Sequence, residues 1–150
     1  MIVLDASAVV DLLLSTERGR RVAEAIADPD ETLHAPHLLP VEVASVVRRL
    51  ALAGKLDPAD GDRALHELFQ LGISFYDHEP LLAEMFRRRA NLIAYDAAYV
   101  VLAEALDARL LTGDSRLAAA PGIGVPVLVV DSPPPAAPTD RTRRRPPRTL

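Results

Sequence analysis

The chain has 150 residues and a mass of 16.2 kDa, the length of one domain, and its 49% hydrophobic and 25% charged residues are ordinary for a globule with a sizeable core. The absence of cysteine excludes disulfides, thiolate zinc sites, iron–sulfur clusters and a thiol nucleophile. The net charge of −4 is uneven: residues 141–150 carry five arginines and no acid, which leaves an acidic body unlike a nonspecific nucleic-acid binder.

Met1–Leu4 is a short apolar run closed by Asp5, the pattern of a buried opening strand. Ser7 can cap a helix whose stripe is Val9, Val10, Leu13 and Leu14. A second helix is expected over Gly19–Ala27 and a short strand over Thr32–Ala35. Pro40 suits a first helical turn, and Val41–Ala53 then reads as a helix with Gly54 just beyond it. Asp57-Pro58 starts another helix to about Leu71, Ile73–Tyr76 is a strand, and Glu79–Arg89 and Tyr95–Leu106 are helices, the latter with Tyr99, Leu102, Ala103 and Leu106 spaced for burial. Arg109–Thr112 is a strand, Ser115–Ala119 one helical turn and Val125–Val130 the last strand. Strands alternating with helices predict an α/β sandwich around a mostly parallel sheet.

The domain is expected to span residues 1–131. Residues 132–150 combine a proline-rich stretch with the arginine cluster and almost no large apolar side chains, so a disordered tail is expected. The longest uncharged run, Leu117–Val130, is too short and too broken by proline and glycine to cross a bilayer. Asp5 interrupts any signal-like start, so no membrane association and a cytoplasmic location are expected.

In parallel α/β folds ligands sit beyond the carboxyl ends of the strands. Asp5 ends the first strand, and Asp114 follows Leu110-Leu111-Thr112 after one glycine. Glu42 and Asp96 stand at helix beginnings, where an acid also serves the helix macrodipole. If the four carboxylates share a cleft, each close pair repels by about 4 kcal/mol at 4 Å and an effective dielectric near 20. Such a cluster takes up protons or a divalent cation, and an all-carboxylate donor set suits hard Mg²⁺ or Mn²⁺. A cation held this way can activate water and clamp a phosphodiester.

Ile2-Val3-Leu4-Asp5-Ala6-Ser7-Ala8, Pro40-Val41-Glu42-Val43, Tyr95-Asp96-Ala97-Ala98-Tyr99 and Leu111-Thr112-Gly113-Asp114-Ser115-Arg116-Leu117 resemble, in order, the motifs of PIN-domain ribonucleases. The short single-domain form resembles VapC toxins of type II toxin–antitoxin systems. The resemblance covers about residues 1–130. It implies a PIN-like three-layer α/β/α sandwich and a Mg²⁺- or Mn²⁺-dependent endoribonuclease. By position it makes Asp5 and Asp96 the metal ligands, with Glu42 and Asp114 completing the catalytic site. Ser7 and Thr112 match the hydroxyl positions that hydrogen-bond the acids. It also implies an RNA substrate, a cognate antitoxin and a homodimer. Many relatives have Asn where this chain has Ser45, three residues after Glu42.

Arg116, next to Asp114, is the candidate for contact with substrate phosphate. Arg48, Arg49 and the run Arg87-Arg88-Arg89 are further basic candidates, with solvated or capping roles as the alternative. His34 and His37 flank a proline and suit packing better than metal binding. The arginine tail is long enough, at about 25 Å of reach, to approach an acidic cleft or RNA phosphates, or to act only as a solubilising end. Two other functions stay open: a catalytically inactive PIN-like binding module, or a different metal-dependent phosphohydrolase. Ser7 stands where a haloacid-dehalogenase-type phosphatase needs a second Asp, and no glycine-rich phosphate loop is present.

Overall fold

The computed structural model describes residues 1–130; the expected domain end at 131 and the tail 132–150, with the role suggested for it, lie outside the described residues. In chain order the elements are β1 (Ile2–Leu4), α1 (Ala6–Leu13), α2 (Glu17–Ala25), β2 (Leu33–Pro36), α3 (Leu39–Leu52), α4 (Pro58–Leu68) and β3 (Ser74–Tyr76). A 3₁₀ turn (Glu79–Leu81) then leads into α5 (Leu82–Arg87), α6 (Ala94–Ala105), β4 (Arg109–Thr112), α7 (Ser115–Ala118) and β5 (Val127–Val129).

The sheet order is β3-β2-β1-β4-β5, and every pairing is parallel. The sequence predicts a mostly parallel sheet; all five strands obey. From β1 the chain steps outward through β2 to β3, then returns across the sheet to β4 and continues to β5. Right-handed crossovers therefore place α1 to α4 on one face and α6 and α7 on the other, which gives three layers. Ile2, Val3 and Leu4 are all fully buried, as a period-2 strand requires when both its faces are covered. The direction of winding reverses between β1 and β4, and the crevice beyond their carboxyl ends is the topological switch point.

The boundaries fall within three residues of the expected ones, and several departures have a local cause. Helix α2 starts at Glu17 because the Thr16 hydroxyl accepts a bond from the Gly19 amide at 3.0 Å. A Cβ at Gly19 would collide with the Asp11 carbonyl, so glycine lets α2 lie against α1. The segment Glu79–Arg89 divides at Leu81, with Pro80 in the tight first turn. Ser7 does not cap α1. Asp5 holds that position, yet its side chain makes no capping bond because it is engaged elsewhere.

Among the described residues, no helix is long and apolar enough to cross a membrane.

Candidate active site

Asp5 leaves β1 at the switch point with its amide donating to the Leu111 carbonyl at 2.9 Å, which ties it to β4. Its Oδ2 accepts two hydroxyl bonds, from Ser7 at 2.5 Å and from Thr112 at 2.7 Å. The Ser7 oxygen in turn accepts from the Gly113 amide at 2.9 Å, and the Thr112 oxygen from the Asp114 amide at 3.0 Å. Each hydroxyl spends its one proton on Asp5, so the 3.4 Å approach of Ser7 to Thr112 is a contact without a shared proton. Gly113 sits tightly here, since a Cβ would stand 3.2 Å from the Ser7 oxygen. The carboxylate is thus fixed from one side through a single oxygen.

Glu42 projects from the first turn of α3, and Asp96 from the first turn of α6. The Tyr99 hydroxyl, one turn after Asp96, donates to Oε2 of Glu42. Burial raises the Glu42 pKa above the usual carboxylate range, against the bond from Tyr99, and the charges of Asp5 and Asp96 push it further up. Asp96 is raised by burial first, then by Asp5 and Asp114, with Arg116 acting in the opposite direction. Asp5 acts on Glu42 and Asp96, and Asp114 on Asp96. The four acids from β1, α3, α6 and the loop after β4 therefore share one electrostatic field.

Asp114 is the exception in sign. Arg116 holds it at 2.9 and 3.2 Å through its guanidinium, and the Arg116 amide adds a bond at 2.8 Å, so its pKa falls. The Arg116 side chain is 91% exposed. Here, then, the arginine expected to meet substrate phosphate faces an acid of its own chain.

Asp96, Asp114, Arg116 and Asn91 line a cleft of about 290 Å³; Glu42, Ser45, Arg49 and Tyr95 line a neighbouring one of about 310 Å³. Among the described residues, no three acid or imidazole side chains stand close enough to grip a cation as they are placed. The acids share a field without sharing a ligand sphere: Arg116 draws on Asp114, and Tyr99 engages Glu42. The donor set, carboxylate oxygen throughout, still fits a hard divalent cation. Burial first, and the neighbouring acids second, raise Glu42 and Asp96, so a cation placed between them would favour their charged forms.

Ser45 bonds back to the Val41 carbonyl of its own helix at 2.9 Å. His34 is buried between the hydroxyls of Thr32 and Tyr76, and His37 lies 3.6 Å from Asp77, so the two imidazoles have separate structural partners. Arg87 pairs with Glu84, Arg88 with Glu84 and Glu104, and Arg89 covers the Phe86 ring, which favours the structural reading of that run. Tyr99 was legible in the sequence only as a core position. The available signal was chemical: a buried tyrosine hydroxyl needs a polar partner.

Comparison with known proteins now adds to this geometry. Residues 2–123 match the family model described as PIN domain. The chain belongs to the PIN-domain family. Relatives of this PIN domain include VapC ribonuclease Mb0985 of Mycobacterium bovis, 44% identical over 130 residues, which are 87% of this chain and 98% of the relative. Ribonuclease VapC1 of Mycobacterium tuberculosis is 42% identical over 129 residues, 85% of this chain and 96% of its own length. Among solved structures, that of Mycobacterium tuberculosis VapC20, titled a sarcin–ricin loop cleaving toxin, superposes with a TM-score of 0.62 at 11% identity, over 79% of this chain and 94% of the other. PAE2754 of Pyrobaculum aerophilum superposes with a TM-score of 0.61 at 23% identity, over 87% and 82%. At these identities the solved structures speak for the shared fold, and the sequence relatives for the family.

Proposed function

We infer that this PIN domain is an endoribonuclease that hydrolyses RNA phosphodiester bonds, and that it is the toxin of a toxin–antitoxin pair. The observation that carries the reading is the mutual charge coupling of Asp5, Glu42, Asp96 and Asp114 at the β1/β4 switch point. The names of relatives at 42–44% identity over nearly their whole length support it.

Asp5 and Asp96 would hold a divalent cation, Mg²⁺ or Mn²⁺, with Glu42 and Asp114 completing the acidic wall. When bound, such a cation supplies charge neutralisation and a more acidic water. The chain's own groups do the rest. Ser7 and Thr112 fix one oxygen of Asp5 and leave Oδ1 for other work. Glu42, held above the ordinary carboxylate range chiefly by burial, is suited to accept a proton from attacking water. Arg116 is suited to exchange Asp114 for a phosphate oxygen, because its exposed side chain loses little in moving. The partners proposed are RNA, a cognate antitoxin and a second copy of the chain.

The test is cleavage of RNA by the purified protein with Mg²⁺ or Mn²⁺, with and without a chelator. Cleavage that appears with the cation and stops with the chelator supports the reading. Cleavage that persists undiminished in excess chelator removes the cation from it.

A further inference from the structure

Tyr99 is the largest of the fully buried side chains, at 1% exposure, and its ring belongs to the core beside Ile2, Leu4 and Leu102. A phenylalanine would fill the same space. The hydroxyl needs its own account, because a buried polar group is retained at a cost unless it is bonded.

That hydroxyl reaches across the site: it donates its one proton to Oε2 of Glu42, 57 positions away in the chain. Tyr99 lies one helical turn beyond Asp96, so this one bond ties α6, which presents Asp96, to α3, which presents Glu42. Among the described residues the Glu42 carboxylate makes no other hydrogen bond, so Tyr99 alone anchors it. Burial and the neighbouring acids raise the phenol's pKa far above its usual value, so it stays a proton donor.

We propose that Tyr99 is a positioning residue: its hydroxyl takes one oxygen of Glu42, turns the other toward Asp5 and Asp96, and so presets the acidic wall for a divalent cation. The inference rests on the cation-dependent reading above. Groups that orient metal-binding carboxylates commonly change affinity by about 10- to 100-fold when lost, and Tyr99 acts through a single bond at the lower end of that range.

The experiment is a double-mutant cycle read by Mn²⁺ binding, followed by electron paramagnetic resonance, without RNA. Tyr99→Phe is expected to weaken Mn²⁺ about 10-fold in the otherwise native chain and to have no further effect in a Glu42→Ala background. An unchanged Mn²⁺ affinity in Tyr99→Phe, or an equal loss in both backgrounds, would overturn the proposal, the second by assigning Tyr99 a packing role alone. A native chain that binds no Mn²⁺ would remove the cation reading as well, so the two failures are distinguishable. If Tyr99→Phe folds poorly, Glu42→Gln alone provides the check: its amide still accepts from Tyr99, and affinity should fall less than in Glu42→Ala.

Discussion

Two regions of this PIN domain handle buried or half-buried carboxylates in opposite ways. At the joint between α1 and α2, Asp11 is buried, accepts from the Thr16 hydroxyl at 2.7 Å and pairs with Arg18 at 2.9 Å. At the switch point, Asp96 and Glu42 face other acids, and their ionisation is resisted by burial and by their neighbours. In the first the buried acid has its own cation; in the second Arg116 serves Asp114, and neither Glu42 nor Asp96 has a direct ion-pair partner among the described residues. An acid supplied with its own cation is a fastening, whereas acids that repel one another against the fold's interest mark a place kept for a ligand.

Asp96→Asn attacks that contrast most directly. It should reduce RNA cleavage by about 100- to 1,000-fold, measured with a labelled oligonucleotide, while the fold is retained or gains stability. Undiminished cleavage would place Asp96 outside the chemistry.

Asp11→Asn should do the reverse: a stability loss of about 1–3 kcal/mol by urea unfolding, from a weakened ion pair and an imperfectly satisfied site, with cation affinity retained. If instead it abolished Mn²⁺ binding and left stability intact, the division between the regions would fail.

The pH dependence sharpens the comparison at smaller scale. Glu42 and Asp96 are raised in the folded state, so the folded chain holds protons that the unfolded chain has released. Their contribution to stability is full below the ordinary carboxylate range and falls as pH rises through their elevated values. Asp114 is lowered, and its smaller contribution runs the other way, being lost in acid. The urea midpoint of Asp96→Asn should therefore exceed that of the native chain at neutral pH, and the two should converge as pH falls to the carboxylate range. A saturating divalent cation should remove much of the difference by stabilising the native chain alone.

The smallest effect belongs to Arg116→Ala. With its side chain almost wholly exposed, the thermal midpoint should stay within error, while KM for RNA rises a few-fold.

How much of this was legible beforehand depended on whether the signal was local. Asp5 and Asp114 were found because a short apolar run ending in an acid is visible within a few residues, and β4 fell on its expected bounds. Glu42 and Asp96 could be placed at helix starts, but only the fold shows that Asp5 acts on both. Ser7 had two readings: a serine at a helix start looks like a cap, and the motif resemblance makes it a hydrogen-bond partner of the acids; its hydroxyl serves Asp5, as the second reading expects. Tyr99 was hidden by its own periodicity, since spacing reports which face is buried and says nothing of a hydroxyl meeting an acid 57 positions away. Arg116 was noticed for its neighbourhood, yet its pairing with Asp114 follows from a turn geometry that composition does not reveal.

The place of β1 at the centre of the sheet has a consequence for how the molecule is made. Asp5 is made well before the threonine that steadies it, which comes 107 positions later. Until β4 docks, the early half of the pocket has no far wall. A chain made only as far as β3 therefore holds Asp5 and Glu42 without Asp96, Asp114 or the threonine, and cannot assemble the site.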